Sequence, residues 1–307
     1  MRARALLTVE RHGDRSVVRE LRSQSPLSLV PRRGTAAALD SAVTVHLVGS
    51  ASTPLTGDDV ELDVRVGPGA DLVLTGVAAA VALAGPSTLT MRFTLDEGAS
   101  LQYLPEPTVI TSRADHETLL HATLHPTARL RAREVLVAGR HGEPSGQYRG
   151  TTRVEQRSER HSRSLGVNEG AARSSGDSAP AAPSPMSERA PRSLGMSDGA
   201  VRSSTPLLHQ TQELGDPLLQ ASPAHLAGNR VLGTEVLVWG EDADATGQLW
   251  ALSRLAVRGS LATAVGADAV TTQRALAEAV AAHPGWTAAT LQASRLPHES
   301  AIRRGER

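Results

Sequence analysis

Histidine and carboxylate side chains are the groups in this sequence best able to hold a metal ion or move a proton, because it contains no cysteine. Three histidines fall in HETLLHATLH: His116, His121 and His125. The last two, four residues apart, would share one side of a helix, but residue 122 is Ala where a hydrolytic zinc motif needs its Glu base. Leu120, Ala122 and Leu124 alternate with His121, Thr123 and His125, so the segment reads as a strand and its histidines as surface groups. The candidate acids are Asp58, Asp59, Glu97, Glu106, Glu117 and Glu134, and acids on a β surface are ordinarily solvated. Glu134 differs. It follows Leu130 and Ala132 on one strand parity in RLRAREVLV, so a regular strand turns it toward the apolar layer, whereas a β-bulge would turn it out. An inward carboxylate requires a partner, a water-filled channel or a raised pKa.

Other chemistries are missing their parts. Without cysteine there is no thiolate nucleophile, disulfide, iron–sulfur cluster or Cys-ligated zinc. No G-x-S-x-G elbow, GxGxxG turn or GxxxxGK[ST] loop occurs, so neither a catalytic residue nor a stable metal site is expected, and the chain reads as a non-enzyme. The 32 basic residues match the 32 acidic ones and form no broad basic face, which argues against nucleic acid. No apolar run is long enough to span a bilayer, and MRARALLTVERHG meets charge too early for a signal peptide, so a cytoplasmic protein without membrane contact is expected. Aromatic residues make up 2%, leaving Val, Leu and Ala to fill the core and few rings to stack on sugars.

The elements that must position these residues repeat. VELDVRVGPGADLVL, LTMRFTLDEGASLQY and LLHATLHPTARLRAR each read as strand, short turn and strand, with Gly69-Ala70, Gly98-Ala99 and Thr127-Ala128 at a constant 29-residue period. Each small residue before the second strand can fit beneath a neighbouring coil. The fold class expected is mostly β, with stacked repeat-like layers, either β-solenoid-like or a sandwich of consecutive hairpins, and a C-terminal helix. Residues 158–205 are rich in Ser, Pro, Ala, Gly and Arg and read as a disordered low-complexity insertion in a hairpin loop, between TTRVEQ and PLLHQTQEL. On that reading 1–157 and 206–307 together form one β-rich domain. RVLGTEVLVWG and QLWALSRLAVRG read as two further strands, and Val270 to Ala282 as a helix with Leu276, Ala277 and Val280 on its apolar stripe, stopped by Pro284-Gly285.

LTGDDVELDVRVGPGADLVLTG, LQYLPEPTVI and LRAREVLVAGRHGEPSG closely resemble the UreD family of urease accessory proteins. The family-motif positions are Gly57 before Asp58, Tyr103 and Pro105 in the step to the next coil, and Gly139-Arg140 after the strand carrying Glu134. The chain departs from the family at Ser52-Thr53 and at VALAG over 81–85. The resemblance implies a chaperone and scaffold that binds apo-urease, a UreF-like protein and a UreG-type GTPase and assists nickel insertion. Nickel(II) is then a transient cargo, with Asp58 and Glu134 as tunnel or structural acids. Two other classes stay open: a β-solenoid enzyme acting on acidic polysaccharide, which needs paired carboxylates and stacking aromatics in a groove, and a β-rich interaction module unrelated to nickel.

Overall fold

In the computed structural model, which describes residues 1–35, 37, 40–49, 54–158 and 204–295, each repeat unit bends once and joins two sheets. The first unit supplies β5 (Asp58–Val66) and β6 (Asp71–Gly76), the second β8 (Gly85–Leu95) and β9 (Ser100–Leu104), the third β11 (Ala114–Leu124) and β12 (Arg129–Ala138). β5, β8 and β11 run parallel in one sheet, and β6, β9 and β12 run parallel in the other. Asp59 therefore lies beside Thr88, Ser87 beside His116, and Asp71 beside Ser100. The two strands of one unit pair with their copies in the next unit and not with each other, which decides for solenoid-like stacking over hairpins. The short strands β7 (Ala80–Ala82) and β10 (Thr108–Ile110) extend the second sheet, β10 pairing with both β7 and β12.

The period is enforced at the bend. Ala70, Ala99 and Ala128 are fully buried there, and the Ser100 and Arg129 amides donate to the Ala70 and Ala99 carbonyls at 2.9 and 2.8 Å. Gly69 and Gly98 take φ of 62° and 65°; in the third turn Thr127 instead accepts the Gly98 N–H on its hydroxyl at 2.9 Å.

Additional strands close the stack at both ends. β1 (Arg2–His12) lies parallel to β5, followed by β2 (Arg15–Arg22), while β4 (Val43–Gly49) pairs with β6 and β3 (Leu27–Pro31) with β4. Beyond the third unit, β13 (Gln147–Arg157) runs parallel to β11 and β14 (Ser204–Leu214) antiparallel to β13. β15 (Val231–Val238), β16 (Ala245–Thr246), β17 (Trp250–Arg254) and β18 (Ser260–Gly266) complete the second sheet. The segment read as two strands after residue 229 is thus four. Arg157 pairs with Ser204 and Gln156 with Thr205, so the last two residues of the insertion read at 158–205 belong to β14; its residues 159–203 lie outside the described residues, as does Ser52-Thr53.

Between the sheets, Leu7, Leu62, Phe93 and Leu124 meet Leu72, Leu101 and Leu130, all 1% exposed or less. The outer face of the second sheet is covered by helices. Besides the short α1 (Pro217–Ala221), α2 (Ala269–Ala281) and α3 (Pro284–Arg295) follow in sequence. α2 is the expected helix with a different stripe: Thr272, Ala275, Leu276, Ala279 and Val280 are buried and Ala277 is exposed, because the steps of three and four that face β15 pass through 272, 276 and 279. Gly233 permits the close approach, since a Cβ there would meet Leu276 Cδ1 at 2.7 Å. Pro284-Gly285 ends one helix and also opens the next. Pro284 occupies the first position of α3, and the buried His283 accepts the Trp286 N–H on Nδ1 at 3.0 Å.

Candidate functional site

The inward faces of the two sheets enclose a cavity of about 450 Å³, reached by both Asp58 and Glu134. Two of its lining residues, Asp58 and His116, belong to one polar row that crosses the first sheet. Asp58, Ser87, His116 and Tyr148 are register partners across β5, β8, β11 and β13, and each is between 3% and 5% exposed. Val60, Leu62 and Val64 occupy the following inward positions of β5, so the polar row caps an apolar interior at one end.

Gly57, at φ 78°, turns the chain into β5 and brings Asp58 against the first strand. The Asp58 carboxylate accepts from the Met1 amino group at 2.7 Å and from the Leu55 N–H at 2.9 Å. Glu134 enters from the opposite sheet. The β12–β15 register runs unbroken from Leu130 to Val137, so no bulge intervenes and Glu134 keeps the parity of Leu130 and Ala132. The Tyr148 hydroxyl donates to Glu134 Oε1 at 2.5 Å, and Thr118 lies 2.6 Å from that hydroxyl. Burial raises the Glu134 pKa, opposed by the hydrogen bonds from Tyr148 and Thr118. Burial, and then the adjacent Glu134, also hold the Tyr103 and Tyr148 phenols protonated far above their ordinary range.

His116 corrects the surface reading. The alternation that turns His121 and His125 outward turns 116, 118, 120, 122 and 124 inward, and His116 is 3% exposed. Extending the parity count by four residues finds this signal. Its Nδ1 lies 2.9 Å from Ser87 Oγ, which can donate or accept, and 3.2 Å from the Ser87 carbonyl, which can only accept; the tautomer that uses both carries its proton on Nδ1 and its lone pair on Nε2. Burial depresses its pKa to about 4, against the Ser87 carbonyl and Asp115, so the imidazole is neutral near pH 7. His121 Nε2 sits 3.7 Å from Glu155, and His125 Nδ1 2.8 Å from the Thr127 hydroxyl, both on the outer face.

A pH dependence follows. The unfolded chain takes up this proton near 6.5 and the folded chain only near 4, so between these values the unfolded state binds more protons and stability falls with falling pH. The gap corresponds to about 3 kcal/mol. Urea unfolding of wild type and His116→Gln from pH 7 to 4 should show the variant losing about that much less; parallel curves would contradict it.

The remaining expected residues divide between the cavity and the surface. Tyr103, Pro105 and Glu106 line the cavity, with Tyr103 edge-on to Phe93 at 5.2 Å. Glu97 and Glu117 are exposed, and Asp59, on the outer parity, accepts from the Thr88 hydroxyl at 2.9 Å. Gly139 and Arg140 lie away from the cavity, in a turn where Arg140 Nε donates to Glu143 at 2.6 Å. Hydrogen bonds from Arg140 and Ser112 hold the Glu143 carboxyl well below the usual carboxylate range. Among the described residues, no three His, Asp or Glu side chains converge as a metal-binding group, and no helix is long and apolar enough to cross a membrane.

The family profile described as "UreD urease accessory protein" matches residues 1–181. Similar curated proteins include "Urease accessory protein UreD 1" of Saccharopolyspora erythraea, 43% identical over 297 residues, covering 94% of this chain and 98% of the relative. The "Urease accessory protein UreD" of Parafrankia sp. is 38% identical, covering 90% of this chain and 86% of its own length. That of Frankia alni is 36% identical, with coverage of 87% and 84%.

Proposed function

This chain belongs to the UreD family, whose members are non-catalytic accessory proteins of urease maturation, and from that premise we propose that it assists nickel insertion by giving nickel(II), its cargo, a passage between its two sheets. The supporting observation is the cavity itself, a space between the sheets with mixed polar and apolar lining that is reached by Asp58 from one sheet and Glu134 from the other. A buried carboxylate whose pKa is raised by desolvation gains when a cation replaces its proton, so such a group can accept and release a passing ion. Oxygen donors hold nickel less firmly than imidazole or thiolate, which suits transfer. In this proposal the scaffold acts in the cytoplasm, in a complex with a UreF-like protein, a UreG-type GTPase and apo-urease, and keeps no metal as a resident cofactor.

The test uses Glu134→Gln and Asp58→Asn, which remove charge with little change in volume, in cells expressing the full set of urease accessory proteins. Complex recovery and nickel per urease active site are measured side by side. The expected result is normal recovery with severalfold lower nickel content. If recovery and nickel fall together the acids are structural, and unchanged nickel in both variants would end the passage reading.

A further inference from the structure

We propose that the buried His116 imidazole is a nitrogen ligand for the ion in transit, bridging the gap between the Asp58 and Glu134 carboxylates through Nε2. This inference rests on the passage reading of the cavity and adds to it the group that selects the metal.

Spacing is the first argument. Asp58, Ser87, His116 and Tyr148 sit on four successive strands in one register. At roughly 4.8 Å per strand, Asp58 and Tyr148 lie roughly 14 Å apart, and Glu134 meets the row at Tyr148. One ion cannot contact both carboxylates across that distance, so a ligand is needed between them. Of the two hydroxyls along the row, Ser87 is engaged with His116, and Tyr148 donates to Glu134. His116, two strands from Asp58 and one from Tyr148, is the remaining donor in the row.

Preparation of the ring is the second argument. A histidine that binds metal usually donates its other N–H to a carbonyl or carboxylate, which fixes tautomer and orientation. His116 does this with the Ser87 carbonyl. Its Nε2 forms no hydrogen bond among the described residues, and the side chain lines the cavity.

Selectivity is the third. A path of carboxylates alone discriminates weakly between nickel and the hard cations magnesium and calcium, whereas imidazole favours nickel over both. One nitrogen ligand in the passage would admit nickel in preference to far more abundant hard cations.

Arg133 also reaches the cavity, but its guanidinium donates to the Pro105 carbonyl at 3.3 Å and forms no ion pair with Glu134 among the described residues.

The probe is nickel(II) alone, added to the full chain in complex with its accessory partners, with X-ray absorption at the nickel edge and equilibrium binding as readouts. Wild type should show imidazole scattering that disappears in His116→Asn, with about tenfold or more weaker nickel binding and little change in magnesium binding. Asn can keep the hydrogen bond to Ser87 while losing the atom at Nε2. If His116→Asn lowers recovery of the complex, His116→Gln takes its place. A wild-type spectrum with oxygen donors only, or one unchanged by either substitution, overturns the proposal. Failure of the passage reading is separately visible: Glu134→Gln and Asp58→Asn would then load urease normally, whereas failure of this inference alone leaves those two defective and His116→Asn normal.

Discussion

A Glu235→Ala chain is expected to be about 3–5 kcal/mol less stable than wild type. Glu235 lies on β15, on the face covered by α2 and α3, and is 1% exposed. It forms an ion pair with Arg131, itself 13% exposed, whose guanidinium also lies 4.3 Å above the centre of the Trp286 ring. Truncating the acid leaves a cation that cannot reach water without pulling α3 away from the sheet, and that uncompensated charge sets the size of the loss. Replacing both partners, as Arg131→Met with Glu235→Leu, removes charge from both sides and should recover most of it. Urea unfolding at pH 7 of wild type, Arg131→Met, Glu235→Leu and the double variant measures the coupling. A single-mutant loss below about 1 kcal/mol would mean that the pair behaves as a solvated one.

Gly139→Ala should be comparably damaging, for a backbone reason. Gly139 follows β12 at φ 75°, where a side chain adds about 1–2 kcal/mol of strain. A Cβ there would also stand 2.2 Å from the Glu143 carbonyl oxygen and 2.7 Å from that of Pro144. Both atoms belong to a turn gathered around Arg230, which donates to the carbonyls of Ala138 at 3.1 Å, Gly139 at 3.2 Å and Glu143 at 3.3 Å. The turn cannot open without losing those bonds. A total of about 3–5 kcal/mol is expected, from strain plus overpacking. Gly142→Ala is the control: its φ is 73° but an added Cβ meets nothing within 4 Å, so it carries the strain alone. Thermal unfolding should separate the two variants by several degrees, and equal melting temperatures would show that the turn yields.

Much of the solenoid was legible because its repeat depends on short-range chemistry. A small residue at 70, 99 and 128 and strict alternation through Val60, Leu62, Val64 and Val66 were enough to place three coils and their inward faces. Parity pointed Glu134 inward but left a β-bulge open, and the unbroken β12–β15 register closes that alternative. The same rule was applied too narrowly at His116, where the flanking Asp115 and Glu117 make the neighbourhood read as surface although the even positions of β11 are buried. Pro284-Gly285 shows a different limit. Locally it is a stop signal, and only the docking of Trp286 against Trp239, with ring centres 5.1 Å apart, makes a second helix worth forming.

Alternation can say that a residue faces inward but not what it meets there. That Asp58 and Glu134 share one cavity, that Ser87, His116 and Tyr148 lie between them, and that Ser87 sets the tautomer of His116 depend on which strands become neighbours and in which register. Parallel pairing at a 29-residue offset brings Ser87 and His116 to adjacent strands, and the fold of one sheet over the other brings Glu134 to Tyr148. The sequence alone determined the strand–turn–strand unit, its 29-residue period and the inward face of most strands, because those follow from sterics and burial within a few residues. The tertiary structure decided the chemistry of the cavity, because hydrogen bonding and desolvation depend on atoms contributed from distant coils.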